Sequence, residues 1–243
     1  MQFERKRGFY EKYIKRLLDI ICSVLFIIVF CWLYAIIAVI VKVKMGSPVL
    51  FKQPRPGIIK NGKETIFNMH KFRTMTDDRD ENGELLPDDK RLPKFGAMLR
   101  STSLDELPEV FCILKGDMSI IGPRPQLVRD MVFMSDEQRM RHTAKPGLTG
   151  LAQVKGRNAV TWEEKLDWDL KYIEKVRFLR DVKILFETVA VVFKRSGITD
   201  GENATALDYG DALLKAGKVN RSQYDALQAR ARNLIAEHEK GNQ

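Results

Sequence analysis

The longest apolar stretch of the chain runs from Ile20 to Val41 and contains no charged residue. Its 22 residues would extend about 33 Å as one α-helix, which is enough to cross the hydrocarbon core of a bilayer. A signal peptide fits poorly, because the run exceeds the usual apolar core of such a peptide and no small-residue cleavage site follows. A buried helix of a soluble protein also fits a run of this length poorly. The pattern therefore predicts a membrane helix.

Basic residues flank this run on both sides. Arg5, Lys6, Arg7, Lys12, Lys15 and Arg16 precede it, and Lys42, Lys44, Lys52, Arg55 and Lys60 follow it. Lysine and arginine are enriched on the cytoplasmic side of a spanning helix, so two basic flanks select no orientation. A segment that enters the membrane and returns to the same face would place both flanks there. We expect this re-entrant arrangement, with a full span as the alternative.

Residues 48 to 75 show two extended segments around a turn. Pro48–Phe51 and Thr65–Met69 flank a stretch that holds Pro54, Pro56, Gly57 and Asn61-Gly62, and this pattern predicts a β-hairpin. Lys71 and Arg73 follow on one face of the second strand. The acidic, turn-rich stretch from Asp77 to Lys90 predicts a surface loop rather than a metal site.

Helical periodicity recurs in the rest of the chain. Leu107, Val110, Phe111 and Leu114 form one apolar face of a helix. That helix begins either at Ser103, through a capping box with Glu106, or nearer Asp105 because of Pro108. Further helices are predicted over Asp130–Arg141, Thr161–Tyr172 and Phe178–Phe193, the second of them capped by Thr161 with Glu164. The third has a broad apolar stripe, which is typical of core packing or of a helix in the membrane interface.

The composition becomes polar and rich in small residues from Thr199 onward. Thr199–Ala204 is predicted as a linker, followed by short helices over Leu207–Ala216 and Ser222–Glu237, with Asn220 and Gln223 as a cap. A narrow apolar seam on the last helix buries little area alone, so we expect it to dock on a partner or on another copy. We divide the chain into a basic N-terminus with the membrane helix at 1–47, the main domain at 48–200, and the linker and helical hairpin at 201–243.

The net charge of +9 and the pI of about 9.4 indicate an anionic partner. Anionic lipid and phosphate substrates fit better than nucleic acid, because the sequence has no RNA-binding aromatic motif, zinc-finger spacing or zipper. The three cysteines, Cys22, Cys31 and Cys112, are scattered and odd in number. This pattern argues against a disulfide framework and for a reducing compartment.

Two adjacent carboxylates, Asp105 and Glu106, lie at the predicted start of a helix. Free backbone N–H groups and the helix dipole stabilise negative charge there, so a capping role is one explanation. The same setting keeps a carboxylate ionised, as a nucleophile requires, and attracts a phosphate. Arg124 stands between Pro123 and Pro125, whose fixed φ angles aim its planar fork in one direction. Together these groups suggest phosphoryl transfer through an aspartyl or glutamyl ester.

Other polar candidates follow this region. Lys145–Gly150 is a stiff turn with two glycines, whose backbone N–H groups can approach a pyrophosphate closely. Side-chain donors for a nucleotide or sugar are then offered by Gln153, Arg157 and Asn158. Asp169 either contacts a nucleotide-sugar, supports an arginine, or pairs with Arg157 or a nearby lysine. His142 is a general-base candidate of second rank, because a histidine beside basic residues more often braces a helix end.

The segments SLDELPE and LKGDMSIIGPRP, between Ser103 and Pro125, resemble the signature of the bacterial sugar transferases, the monotopic phosphoglycosyl transferases. The resemblance continues through KFRTM at Lys71–Met75, RHTAKPGLTGLAQVKGRN at Arg141–Asn158, and a D-x-x-Y pattern from Asp169 to Tyr172. It implies transfer of a sugar phosphate from a UDP-sugar to a polyprenol phosphate, with release of UMP. It also implies Mg²⁺ and a covalent phosphosugar–aspartate intermediate.

This resemblance implies roles for residues of this chain. Asp105 would be the nucleophile, and Glu106 would position the metal or deprotonate the acceptor, so both are candidate Mg²⁺ ligands. Phosphate or donor contacts would come from Lys71, Arg100, Arg124, Gln153, Arg157 and Asp169. The rival interpretation is a non-catalytic, membrane-bound adaptor of the same fold that binds anionic lipid. Such an adaptor needs neither the acidic pair nor Lys71 and Arg124, and this favours the enzyme.

We therefore expect a helix-dominated α+β fold. It would be a single membrane-anchored domain with an N-terminal re-entrant helix, interfacial amphipathic helices, a small β-hairpin and a C-terminal helical appendage. The resemblance implies a break in the re-entrant helix at a Ser-Pro pair, and here Cys31 and Trp32 occupy those positions. A break would then depend on packing, on back-bonding by Ser23 or on polar anchors.

The resemblance also predicts where the protein works and with what. The expected location is the bacterial inner membrane, with the catalytic domain on the cytoplasmic face. The expected partners are a UDP-sugar, polyprenol phosphate and membrane lipid, together with a second copy or downstream glycosyltransferases through the C-terminal helices. No nucleic acid is expected.

Overall fold

The chain, in a computed structural model, is built mainly of helices with two small two-stranded sheets. The structure describes residues 5–156, 160–193 and 207–241. The chain divides into two compact units. The Asp105 unit comprises Ile20–Gln53 and Asn68–Lys115, and the Arg124 unit comprises Met1–Asp19, Pro54–Phe67 and Gly116–Gln243. The predicted helix-dominated α+β class with a small β-hairpin is confirmed.

The apolar run forms one long helix. A π-helical turn, Tyr10–Ile14, leads into α1 (Lys15–Met45). The helix is long and apolar enough to cross a membrane, and only 11% of its most apolar 18-residue window is buried. It continues through Cys31 and Trp32 without interruption. The buried Ser23 hydroxyl has no hydrogen-bond partner among the described residues. The break and the back-bonding that we expected are therefore not seen.

The C-terminal half of α1 contributes to the core of the Asp105 unit. Ile37 and Val41 are buried against Phe72 and Leu99. The Tyr34 ring lies with its centroid 4.7 Å from that of Phe72. Each aliphatic side chain buried in this way contributes about 1.5–3 kcal/mol relative to its exposed state. One face of the apolar helix is thus a docking face for protein, not for lipid.

The predicted β-hairpin is confirmed, but its turn is shorter than expected. Strands β1 (Leu50–Lys60) and β2 (Lys63–Phe72) are joined by two residues, Asn61–Gly62, both with positive φ. This is the preferred sequence for a two-residue hairpin turn. Pro54 and Pro56, which we had placed in the turn, lie inside β1. A two-stranded sheet tolerates them because one side of each strand is unpaired.

The acidic segment after β2 is a surface loop, as predicted, and it ends in two short helices. An isolated bridge between Arg79 and Leu85 closes the loop. Helices α2 (Asp88–Arg91) and α3 (Lys94–Ser101) follow. A Cβ atom at Gly96 would lie 1.9 Å from the Thr74 carbonyl oxygen. Only glycine therefore lets α3 pack this closely on the backbone after β2.

The next helix, α4 (Glu109–Lys115), begins later than predicted. The capping box at Ser103 is wrong, because Ser103 has a φ of 56° and its side chain makes no cap bond. The predicted apolar face is also partly wrong: Phe111 is 43% exposed, while Ile113 is 1% exposed. The helical period cannot be extended back to Leu107, since that residue precedes the α-helix.

The Arg124 unit contains a short parallel sheet. Strand β3 (Ser119–Ile121) pairs with β4 (Gly147–Thr149), with Ser119 opposite Gly147. Helix α7 (Leu151–Gly156) follows β4. A Cβ at Gly147 would lie 2.1 Å from the Gly122 backbone nitrogen, and one at Gly150 would lie 2.1 Å from the Gly122 carbonyl oxygen. The glycines that we interpreted as a phosphate cradle therefore let the backbone around β4 lie close to the backbone at Gly122; their contact with a pyrophosphate stays a prediction.

The predicted helix over Asp130–Arg141 is divided into three parts. These are α5 (Val128–Met131), α6 (Asp136–Arg139) and a 3₁₀ turn, Met140–Thr143. The division follows from Ser135, whose hydroxyl accepts a hydrogen bond from the Gln138 N–H and caps a new helix.

Helices α8 (Trp162–Glu174) and α9 (Phe178–Phe193) complete the middle of the chain. The predicted capping box between Thr161 and Glu164 is present. Buried residues of α8 and α9 form a core cluster with β3, α7 and the neighbouring loops: Ile121, Ala144, Leu151, Tyr172, Ile173, Val176 and Ile184. The outer face of α9 is apolar and open, since Leu179 is 78% and Phe186 71% exposed.

The two predicted C-terminal helices are present as α10 (Tyr209–Lys215) and α11 (Arg221–Lys240), and Asn220 with Gln223 caps the second. Their apolar seam packs against residues of this chain. Ala231, Leu234 and Ile235 pack on Val128, Met131 and Ile66, and Tyr209, Leu213, Tyr224 and Leu227 pack on Phe133, Met134 and Leu166. Our expectation that this seam docks on another chain is therefore corrected: it docks on its own unit.

Candidate active site

The acidic pair lies in a 3₁₀ turn, Leu104–Glu106, immediately after Ser103. The φ of Ser103 is 56°, a conformation that few non-glycine residues adopt. Asp105 is buried, at 8% exposure, whereas Glu106 is half-buried. The start of α4 follows within three residues. The two adjacent carboxylates are thus held on an unusual, tightly turned backbone and differ in accessibility.

A lysine from the end of β2 joins this acidic turn. Lys71 Nζ lies 2.7 Å from Glu106 Oε1 and 3.3 Å from Glu109 Oε1. The Glu109 side chain is only 1% exposed. One lysine therefore bridges two carboxylates, one of them deeply buried, as expected for charges that must be paired to remain inside a protein. The structure brings Lys71 and Glu106 together, and the role of Lys71 as a phosphate contact stays a prediction.

The sequence interpretation missed Glu109. It is the last acid of SLDELPE, four residues after Asp105 and three after Glu106. That spacing was the available signal, because residues three and four apart share a helix face. We overlooked it since Glu109 reads equally well as the first residue of a helix, where acids are common.

Arg100, the other predicted phosphate contact in this unit, lies at the end of α3. Its side chain is exposed, and its Nε donates a hydrogen bond of 2.9 Å to the Thr74 hydroxyl. The guanidinium is therefore accessible to an anionic ligand while its stem is anchored. Its role as a phosphate contact stays a prediction.

The carboxylates of the acidic turn fit Mg²⁺ only if substrate oxygens and water supply the other ligands of the ion. Among the described residues, no group of three or more histidine, cysteine or acidic side chains is arranged to hold a metal ion. Two of the local acids already share Lys71. Mg²⁺ in enzymes that handle phosphates is commonly held by one or two carboxylates and completed by substrate oxygens and water. Asp105 and Glu106 suit that shared arrangement.

Arg124 lies in the Arg124 unit, in the turn after β3, and is half-buried. Its guanidinium NH1 is 3.5 Å from the Leu148 carbonyl oxygen. The carbonyl oxygen of Arg124 accepts a 2.6 Å hydrogen bond from Arg141 NH2. The backbone of this arginine is therefore held by a second arginine, which the sequence analysis did not single out.

Asp169 is the partner of that second arginine. Arg141 donates to Asp169 Oδ2 from Nε at 2.9 Å and from NH2 at 2.6 Å, and both side chains are almost fully buried. Of the alternatives for Asp169, this geometry favours support of an arginine, with Arg141 as the partner. Direct contact with a substrate is disfavoured by the burial.

Gln153 and Arg157 were the remaining substrate candidates. Gln153 Nε2 donates to the Leu148 carbonyl at 3.2 Å, while its buried Oε1 has no hydrogen-bond partner among the described residues. A buried acceptor without a partner is costly, so this oxygen is available to a donor group. Arg157 lies outside the described residues.

His142, the second-rank base candidate, is buried between charged groups. Its Nδ1 lies 3.4 Å from Glu64 Oε1, and Arg139 pairs with both oxygens of Glu64. Burial lowers the pKa of His142 to about 4, so the ring is neutral near pH 7. Burial opposes ionisation of Glu64, but hydrogen bonds from His142 and Arg139 outweigh it and lower the pKa of this carboxyl. The histidine therefore braces the fold.

Comparison with known proteins agrees with the motifs. The family model described as "Bacterial sugar transferase" matches residues 10–195. The chain is 44% identical over 193 residues to the uncharacterized sugar transferase EpsL of Bacillus subtilis, which covers 79% of this chain and 94% of that protein.

Two further relatives have more specific names. The UDP-glucose:undecaprenyl-phosphate glucose-1-phosphate transferase of Klebsiella pneumoniae is 40% identical over 72% of this chain and 39% of its own length. The undecaprenyl-phosphate galactose phosphotransferase of Salmonella typhimurium is 35% identical over 77% of this chain and 42% of its own length. The chain thus spans less than half of these larger relatives. Since the family model covers most of the chain, from the first turn of the long helix to the end of α9, the protein belongs to the bacterial sugar transferase family.

Proposed function

We propose that the protein transfers a sugar 1-phosphate from a UDP-sugar to a polyprenyl phosphate such as undecaprenyl phosphate, and releases UMP. The observation that carries this proposal is the acidic turn, in which Asp105 and Glu106 follow the left-handed Ser103 and Lys71 pairs with Glu106 and Glu109. It lies inside the segment that matches the family. The names of the Klebsiella and Salmonella relatives support the acceptor and the transferred group.

The proposed chemistry has two displacements. A carboxylate oxygen of Asp105 attacks the β-phosphorus of the donor, and the bond to the bridging oxygen breaks, so that UMP leaves. A phosphate oxygen of the polyprenyl acceptor then attacks the same phosphorus, and the bond to Asp105 breaks. The product is a polyprenyl diphosphate sugar, and Asp105 returns as a carboxylate. Splitting one difficult transfer into two easier steps is the usual gain of covalent catalysis.

The other residues have supporting roles in this proposal. Glu106 accepts a proton from the acceptor phosphate or orients the donor, and Lys71 pairs with Glu106 and Glu109 and so holds the acidic turn in place. Arg124 and Arg100 bind donor phosphates, where a planar fork matches two phosphate oxygens. We propose Asp105 and Glu106 as the protein ligands of Mg²⁺, which when bound would neutralise diphosphate charge.

We also propose that the protein works at the cytoplasmic face of the bacterial inner membrane. The supporting features are the mostly exposed apolar helix α1, the open apolar face of α9 and the net charge of +9. Exposed apolar surface of this extent is typical of contact with lipid. A basic surface adds attraction to the anionic headgroups of the cytoplasmic leaflet.

The decisive experiment measures UMP release. The full chain, in detergent or lipid nanodiscs, is incubated with undecaprenyl phosphate, Mg²⁺ and one UDP-sugar at a time from a panel of hexoses and N-acetylated amino sugars. We expect release with at least one donor, and a phosphosugar adduct on intact protein when the acceptor is omitted. The adaptor alternative predicts binding to anionic vesicles but no release with any donor, and that result would overturn the proposal.

A further inference from the structure

The turn that carries Arg124 is held at three consecutive carbonyl groups. The Pro123 oxygen accepts from the Gly147 backbone N–H at 3.0 Å. The Arg124 oxygen accepts from Arg141 at 2.6 Å, and the Pro125 oxygen accepts from Arg55 at 3.1 Å. The three donors come from three separate elements: β4, the 3₁₀ turn Met140–Thr143 and β1.

This use of carbonyl groups follows from the sequence of the turn. Pro123 and Pro125 have no backbone N–H, so they can be hydrogen-bonded only as acceptors. The proline rings fix φ at these two positions but leave ψ free, and ψ sets the direction of each carbonyl. Bonds to the three carbonyls therefore restrict the rotations that the prolines do not.

Two of the three donors are guanidinium groups, and one of them is deeply buried. Hydrogen bonds from a charged donor are about twice as strong as neutral ones. The Arg141 side chain is 1% exposed, and the Asp169 carboxylate compensates its charge. A buried ion pair is an expensive way to fill a core, because an apolar pair of similar size is often as stable or more stable. The buried pair of Arg141 and Asp169 is explained if it serves to hold the Arg124 carbonyl group in one position.

We propose that Arg55 and Arg141 are positioning residues that fix the backbone of Arg124, and thereby its guanidinium, for the phosphate of the substrate. The proposal rests on the proposed function, in which Arg124 binds a donor phosphate. Arg141 acts through the Arg124 carbonyl and Arg55 through the next carbonyl along the chain. Asp169 is a third positioning residue, because it accepts two hydrogen bonds from Arg141 and orients its guanidinium.

The test uses Arg55→Met and Arg141→Lys in the full chain. Methionine keeps much of the apolar stem of Arg55 and removes its donors. Lysine keeps the charge beside Asp169 but cannot bond both Asp169 and the carbonyl in the same fork geometry. The matched control is Lys60→Met, which removes an exposed cation from the same strand. If Arg141→Lys does not fold, Arg55→Met carries the test alone.

We expect kcat/KM for the donor to fall about tenfold to a hundredfold in Arg55→Met, as for a small misplacement of a catalytic group. Lys60→Met should keep the wild-type value. In an Arg124→Ala background, Arg55→Met should cost little more, because its effect passes through Arg124. Full additivity of the two losses, or wild-type activity of Arg55→Met, would overturn the inference.

Hydrogen exchange separates failure of this inference from failure of the proposed function. We expect the peptide from Gly122 to Val128 to exchange faster in Arg55→Met than in Lys60→Met, whether or not any donor yields UMP. Faster exchange with no UMP release from the wild type would overturn the proposed reaction. The hydrogen bonds of Arg55 and Arg141 to the turn would then have no role in catalysis. Unchanged exchange would show that Arg55 does not fix the backbone of the turn, even if the enzyme is active.

Discussion

Asp105 and Glu106 are neighbours in the sequence but occupy different environments. Asp105 is 8% exposed in the 3₁₀ turn, whereas Glu106 is half-buried and bonded to Lys71. Adjacent carboxylates with different surroundings commonly take different roles in catalysis. This contrast supports Asp105 as the attacking group and Glu106 as its helper.

The first prediction separates these roles. Asp105→Asn keeps the shape of the side chain and removes the anionic oxygen, so turnover should fall about a thousandfold or more and no phosphosugar adduct should form. Glu106→Gln should also be slow in turnover but should still form the adduct. Intact-protein mass spectrometry and UMP release measure both effects. Substantial turnover by Asp105→Asn would remove Asp105 from the nucleophilic role.

A second prediction concerns the fork of Arg124. Arg124→Lys keeps the positive charge but loses the planar pair of donors. We expect a loss of about 2 kcal/mol in transition-state stabilisation, or about thirtyfold in kcat/KM, which is typical of a hydrogen bond to a charged group. Steady-state kinetics with varied UDP-sugar measure it, with Lys60→Met again as the control. Wild-type kinetics would show that the Pro-Arg-Pro turn is only structural.

At the scale of elements, local signals predicted structure well where nothing distant competed with them. The capping boxes at Thr161 and Asn220 and the Asn61–Gly62 turn are all present. The box predicted at Ser103 failed for a tertiary reason, since the Glu106 side chain that should cap the helix is bonded to Lys71. Lys71 lies 35 residues away in the chain, so no local pattern could reveal that competition.

The glycines of the Lys145–Gly150 stretch show the same limit of sequence interpretation. Their presence correctly indicated a close approach of the backbone to another group. In the structure the neighbouring group is the backbone at Gly122, directly after β3, which pairs with β4 in parallel. Likewise, the resemblance pointed to Arg124, but the buried pair of Arg141 and Asp169 that holds it became visible only in three dimensions.

The C-terminal hairpin is tied to the helix that follows the Arg124 turn. Asp130 of α5 accepts hydrogen bonds from the Tyr209 N–H at 2.9 Å and from the Leu127 N–H at 3.3 Å. Burial raises the pKa of Asp130 to about 6. The hairpin follows the segment that matches the family. These contacts indicate that the C-terminal helices stabilise α5, which follows the Arg124 turn.

A third prediction tests this packing at Gly210 in α10. A Cβ there would lie 2.5 Å from the Phe133 ring, so Gly210→Leu should force the helix away from its seat. We expect a loss of about 1–3 kcal/mol from overpacking, although leucine is the better helix former. Thermal unfolding measures the loss, and Ala226→Leu on the exposed side of α11 is the control. Equal melting temperatures for both variants would refute the packing of α10 and α11 against Phe133 and its neighbours.

At the scale of the whole molecule, each unit contacts a different end of the apolar helix. In the Arg124 unit, Asp19 accepts hydrogen bonds from the Ser119 hydroxyl at 3.1 Å and the Ile120 N–H at 3.0 Å. Asp181 accepts from the Tyr10 hydroxyl at 2.9 Å. Both aspartates are buried. The residues before the apolar run are therefore anchored to the same unit as Arg124.

In the Asp105 unit, the other end of the run is anchored instead, through Ile37 and Val41. Among the described residues, α1 with its preceding turn is the one helix that passes as a membrane span. Because α1 is continuous from Lys15 to Met45, the re-entrant arrangement stays a prediction, with a full span as its alternative.

The last prediction tests that topology in intact cells. Single cysteines replace Lys6 or Lys60, both exposed, in a background in which Cys22, Cys31 and Cys112 are substituted. If the apolar segment re-enters, both positions face the cytoplasm, so a membrane-impermeant maleimide should label neither until the cells are permeabilised, when it should label both. The UMP-release assay confirms that each variant is folded. Labelling of the Lys6 position alone in intact cells would instead show a straight span, with the N-terminus and the β1–β2 hairpin on opposite faces, and would refute the re-entrant arrangement.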